Sequence, residues 1–151
     1  MYKSVFVSLM VVVLFSVNFA FAEERASKKD AEAMVKKAVA AYKAGGEKVL
    51  SDFTAPNKMY VSKDLYIVAY DLSGKCLAHG QNTKQVGKDL IGMKDPDGKA
   101  FIKDRVETAK VKSSFWQDYK FTDPLTKKVL PKQAYCEKAD SIVICGGVYK
   151  E

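Results

Sequence analysis

Residues 64–80, DLYIVAYDLSGKCLAHG, decide how this chain is read. Residues 65–71 are apolar on both faces, as in a central strand rather than a half-exposed one. Ser73-Gly74 is a turn signal, and residues 75–79 return as a second strand. The pair is a hairpin. It closes on His79, the only histidine in the chain, beside Gly80. A hydrogen-bonded histidine can simply finish a strand. It can also form the rim of a binding site, and the rest of the chain must decide between the two.

Before the hairpin, residues 27–44 have helical spacing: Ala31, Met34, Val35, Ala38, Val39 and Tyr42 recur on one face. Ser27 and Asp30 form a variant of the capping box, and Gly45-Gly46 stop the helix. A short second helix is expected over 47–53. After the hairpin, residues 80–98 are polar and glycine-rich, a loop long enough to suggest function. Residues 100–110 read as a helix with Phe101, Ile102, Val106 and Ala109 on one side. From 115 to 121 the residues alternate, with Phe115, Gln117, Tyr119 and Phe121 on one face and Trp116, Asp118 and Lys120 on the other. Two further strands, 129–138 and 141–150, flank an Ala139-Asp140 turn. Five strands joined mainly by short turns, with helices gathered early, give an α+β fold built on an antiparallel sheet.

The N-terminus lies outside this pattern. Lys3, an apolar run over 5–15 and an Ala20-Phe21-Ala22 end describe a secretory signal peptide cut after Ala22. Of 151 residues, 22 then leave and 129 remain, enough for one domain (23–151) with a real core. Lys3 leaves with the peptide, so 24 basic side chains face 18 acidic ones, a net charge of +6. The lysines are scattered, which suits a solvated surface and not a nucleic-acid footprint. Three cysteines, Cys76, Cys136 and Cys145, form no C-x-x-C motif and, with one histidine, no zinc set. If Lys138 faces Ser141 across the last turn, Cys136 and Cys145 are diagonal. A one-residue shift of the turn puts them directly opposite, so a disulfide is possible.

The segments KDLYIVAYDLSGKCLAHGQN, VGKDLIGMKDPDGKAFIK, FWQDYKFTDPLTKKVLPKQAYCE and GGVYK resemble the single Cache domain family, extracytoplasmic relatives of PAS domains. The resemblance covers about residues 28–150. It implies a five-stranded antiparallel sheet with the long N-terminal helix packed on it, and a pocket for a small ligand, often a short carboxylate. The chain departs from the family pattern at Phe115, where glycine is usual, and at its three cysteines, where apolar residues are usual. No kinase or methyl-accepting segment follows Glu151, so binding is expected to be read out by a separate membrane receptor or kinase.

Six residues are expected at the ligand. LAHG matches a family segment bordering the pocket, which selects His79. A histidine can bind an anion when protonated or donate one ring N–H when neutral. Tyr66 and Tyr70 share a strand face. Trp116 and Tyr119 lie on opposite faces of a regular strand, so both reach the pocket only through a bulge. Tyrosine gives an apolar wall and one donor. A buried carboxylate also needs a cation. Lys132 is chosen over Lys120 because PKQAY matches a family segment. Lysine on a strand is otherwise usually solvent-facing.

These residues point to an exported, periplasmic binding module for a short organic carboxylate, without catalysis and without a cofactor. Two alternatives compete. One is a hydrolase acting through His79 with Asp71 or Asp118, against which stands the absence of a nucleophile elbow, metal set or phosphate loop. The other is a docking module that uses a hairpin edge or the N-terminal helix.

Overall fold

The computed structural model describes residues 24–150, so the expected signal peptide lies outside the described residues. Helix α1 (Lys28–Gly45) opens the domain. The Ser27 hydroxyl accepts the Asp30 N–H and the Asp30 carboxylate accepts the Ser27 N–H, the expected reciprocal cap. Gly46, at φ +63°, supplies the left-handed residue that ends it. The second helix expected over 47–53 is present as a short 3-10 helix, Gly46–Ser51, and not as an α-helix. The run between Gly46 and the Pro56 loop is too short for an α-helix to repay its nucleation. Phe53 instead anchors that segment edge-to-face on Tyr60.

The strands are β1 (Val61–Ser62), β2 (Leu65–Asp71), β3 (Cys76–His79), β4 (Ser114–Thr122), β5 (Val129–Ala139) and β6 (Ile142–Tyr149), with α2 (Phe101–Val111) between β3 and β4. They form one antiparallel sheet of order β1-β2-β6-β5-β4, and β3 pairs with β2 beside β1. The five strands read from the sequence are all present, and the two-residue β1 adds a sixth. Strand β2 is central and buried on both faces, as its composition requires. The β5–β6 turn falls at Asp140-Ser141 rather than Ala139-Asp140, since Ala139 pairs with Ile142. Asp140 sits at φ +53°, a conformation that aspartate tolerates better than alanine. This register puts Cys136 opposite Cys145, joined as a disulfide.

The sheet separates two cores. On one face α1 buries Val35, Ala38, Val39 and Tyr42 against Ile67, Ala69, Tyr135, Ile142 and Ile144. On the other, α2 and the 80–98 loop cover Tyr66, Val68, Tyr70, Tyr119, Val143 and Tyr149. The long loop is tied to the hairpin by Cys76 N–H to Lys88 O (2.9 Å), Gly87 N–H to Cys76 O (2.8 Å) and Leu90 N–H to Gly74 O (3.0 Å). Among the described residues, no helix is long and apolar enough to cross a membrane.

Candidate functional site

Strand alternation turns Lys132 of β5 inward, onto the face covered by α2. Its stem crosses β6 at Gly147, where a Cβ would stand 2.6 Å from Lys132 Cε, so only glycine leaves it that path. The amine ends 3.9 Å from the Tyr66 ring centroid and 4.6 Å from that of Tyr149. Its hydrogen bond goes to Tyr149 Oη, at 3.3 Å. Lys132 is only 3% exposed, and among the described residues no carboxylate pairs with it. Burial, reinforced by the nearby Arg105 charge, holds its pKa well below the usual lysine range, against the opposing pull of Asp64 and Asp123.

Those two carboxylates are committed elsewhere. Asp64 accepts the Ala26 N–H (2.7 Å) and the Tyr149 N–H (3.0 Å). Asp123 accepts from Arg25 (3.0 Å) and from the Thr126 hydroxyl (2.6 Å). Burial raises the Asp123 pKa, but Arg25, Thr126 and backbone N–H groups outweigh it and hold it at about 2.

Arg105 of α2 is the second buried cation, with no exposed surface. Its Nε donates to Gln117 Oε1 at 3.0 Å, and Gln117 Nε2 donates to Phe101 O at 2.8 Å, which fixes the amide. The guanidinium lies over Tyr119 (5.2 Å) and Tyr70 (5.4 Å). Its Nη2 is buried and has no acceptor among the described residues. An unmatched buried donor on a charged group costs about 1–3 kcal/mol or more.

The remaining donors are neutral. Tyr149 Oη gives its proton to Thr122 O (2.6 Å), so it accepts from Tyr66 Oη (3.3 Å). Burial raises the pKa of Tyr66, Tyr70 and Tyr149 alike. His79 Nδ1 accepts the N–H groups of Gln81 (3.2 Å) and Asn82 (3.1 Å), so the neutral ring carries its proton on Nε2. Burial, then the Lys132 and Arg105 charges, lower its pKa to about 3. The ring stacks on Tyr66, with centroids 5.3 Å apart. Gly80 follows because a Cβ there would stand 2.9 Å from Tyr66 Cβ. A cavity of about 340 Å³ opens over Tyr66 and His79 and is rimmed by Asn82, Gln85, Phe121 and Lys127. A larger opening of about 620 Å³, between α2 and β4, is lined mostly by exposed side chains such as Lys99, Glu107 and Lys112. The Lys132 amine lies against the Tyr66 ring that lines the smaller one.

Five of the six sequence-predicted residues, Tyr66, Tyr70, His79, Tyr119 and Lys132, share this face of the sheet. Trp116 does not. Strand β4 is regular, without the bulge that would bring Trp116 round, so it sits on the opposite face beneath Lys28 of α1 and against Tyr135. Lys120 shares that opposite phase and pairs with Asp97 at the surface. Asp71 holds the Ser73 turn and Asp118 pairs with Lys150. Neither carboxylate bonds to His79, so the acid–base pair of the hydrolase alternative is not assembled. Sequence reading missed Arg105, Gln117 and Tyr149. A signal for Arg105 existed: it stands four residues from both Phe101 and Ala109, on the apolar side of α2, and is one of only two arginines among 25 basic residues.

The fold has known counterparts. The chain is 30% identical over 89 residues to the sensor histidine kinase MctS of Rhizobium johnstonii, a match over 58% of this chain and 19% of the kinase. The crystal structure of a methyl-accepting chemotaxis protein from Vibrio parahaemolyticus is similar, at a TM-score of 0.70 and 23% identity over 81% of this chain and 87% of that one. A periplasmic sensor domain of a chemotaxis protein matches at a TM-score of 0.63 and 25% identity, covering 82% and 90%. A structure described as the basis for carboxylic acid recognition by a Cache chemosensory domain matches at 0.64 and 22%, covering 82% and 88%. The family model for single Cache domain 2 matches residues 7–151. With the three-layer fold and the polar groups buried under α2, this match identifies the chain: it belongs to the single Cache domain 2 family of extracytoplasmic sensor modules.

Proposed function

We propose that the protein is an exported sensor module that binds a short organic carboxylate on the Arg105–Lys132 face. The observation that carries this reading is two buried cations with no carboxylate paired to either among the described residues, one of them with an orphan donor. Buried polar groups are normally satisfied, and a small anion is the group this set lacks. The neutral hydroxyl of Tyr70 and the His79 Nε2 proton add directed donors, and the aromatic rings, Tyr66 among them, supply the apolar wall. A related fold described as recognising carboxylic acids supports the same chemistry. In this reading the signal peptide is removed after Ala22, the domain works in the periplasm, and a separate membrane receptor or kinase reads the bound state.

A thermal-shift screen of the purified mature protein tests it. The panel holds acetate, propionate, pyruvate and lactate, with amino acids for contrast. A ligand that binds only the folded state raises the melting temperature by mass action. A rise with at least one carboxylate, lost in Lys132→Met, is expected. No rise across the panel at millimolar concentration refutes the carboxylate reading.

A further inference from the structure

A lysine amine buried under an aromatic lid is an unusual receptor for an anion, because it need not carry charge before the anion arrives. Every element packed around Lys132 is accounted for. Strand β2 presents Tyr66, β3 the neutral His79, β4 Tyr119 and β6 Tyr149. Helix α2 presents the permanently charged Arg105. The segments flanking β2 and β4 hold Asp64 and Asp123, which are engaged by Arg25 and by backbone N–H groups. The amine therefore faces one positive charge and no available negative one. It is 3% exposed, and its hydrogen bond goes to a tyrosine oxygen. A charged amine in that setting lacks the compensation that burial demands.

We propose that an anion entering this site binds together with one proton from solvent, taken up on Lys132 Nζ, so that the module responds to the acid rather than to the anion alone. This rests on the carboxylate reading above. The balance is simple: RCOO⁻ and H⁺ enter, the neutral amine becomes an ammonium, and the buried site gains no net charge. The depressed lysine pKa of the free protein agrees with this geometry. An arriving carboxylate favours the charged amine and raises that pKa. Between the free and bound values binding takes up one proton, and affinity falls about tenfold for each pH unit of increase. Below the free value the dependence disappears. His79 does not supply the effect near neutrality, because burial, the largest cause of its lowered pKa and independent of the Lys132 charge, keeps it neutral there.

Two measurements test the proposal. Lysine ε-carbon resonances of mature protein made with 13C-labelled lysine are followed against pH, without and with acetate. One resonance, absent in Lys132→Met, should titrate far below the others and move upward with acetate. Calorimetric titration with acetate in buffers of different ionisation enthalpy, at a pH between the free and bound lysine values, should then give one proton taken up, with the affinity falling about tenfold per pH unit across that interval. Lys132→Arg, whose charge is fixed, should bind with no proton uptake, and His79→Asn should keep the wild-type pH slope. Should Lys132→Arg fail to fold, the Lys132→Met assignment and the wild-type proton count decide alone. Binding of acetate without proton uptake overturns the linkage and leaves the carboxylate reading intact. A low-titrating lysine with no response to acetate, propionate, pyruvate or lactate removes the carboxylate reading, and the linkage with it. All lysines titrating in the ordinary range overturns the linkage directly.

Discussion

At the scale of the residue, the proposed site sets stability against binding. Lys132 is buried without a partner carboxylate, so an apolar side chain of similar length should fit the unliganded protein better. Lys132→Met is expected to raise unfolding stability by about 1–3 kcal/mol near neutral pH and to abolish the carboxylate-induced rise in melting temperature. The sign of its pH dependence follows from linkage. Between its depressed native value and the ordinary 10.5 the unfolded lysine holds a proton that the native one lacks, so the wild type gains stability as pH rises through that window. The advantage of Lys132→Met must therefore shrink in alkaline solution. His79 gives the mirror test in acid. Its native pKa of about 3 lies below the unfolded 6.5, so between these values only the unfolded chain binds the proton. Its contribution is complete above pH 6.5 and is lost as pH falls through that window, by about 1.4 kcal/mol per pH unit. In His79→Asn the amide oxygen can still accept from the Gln81 and Asn82 N–H groups. Urea unfolding from pH 6.5 down to 4 should be visibly flatter for this variant, and equal slopes would refute the assignment.

At the scale of the element, the β5–β6 hairpin carries the site. It holds Lys132 and Tyr149 in register, opens the path for the lysine stem at Gly147 and closes with the Cys136–Cys145 disulfide. The two cysteines are 9 positions apart, so the bridge closes a short loop. Removing it through Cys136→Ala with Cys145→Ala should cost about 2–3 kcal/mol, measured by denaturant unfolding under oxidising conditions. A loss no larger under oxidising than under reducing conditions would deny the bridge a role. The hairpin also marks the limit of reading by sequence. Its two strands are plain from their β-branched and aromatic composition. Its register is not, because moving the turn by one residue changes which cysteines face each other, and only the tolerance of Asp140 for a left-handed backbone decides it. The alternation in β4 correctly separates Trp116 from Tyr119. Placing both at the ligand needed a bulge that the strand does not contain.

At the scale of the molecule, the fold sets an inner face of donors between sheet and α2 and leaves the α1 face to ordinary packing. The N-terminal segment is joined to the same region. Arg25 pairs with Asp64 (3.6 Å) and Asp123 (3.0 Å), and Asp64 receives the backbone N–H of Tyr149, whose hydroxyl meets Lys132 and Tyr66. Elements and their order were legible because hydrophobic period reports local structure. Arg105 was not, because a charged residue on an apolar stripe reads as a boundary of the stripe unless the tertiary fold shows what covers it. The family resemblance supplied His79 and Lys132, which local pattern alone left as a strand end and a surface lysine. A crystal structure of the mature protein with the carboxylate that raises its melting temperature most is the most direct test of this account. Carboxylate oxygens are expected within hydrogen-bond distance of Arg105 Nη2 and Lys132 Nζ, beneath Tyr66 and His79. A carboxylate seated instead in the opening between α2 and β4, with the two buried cations unchanged, would contradict it.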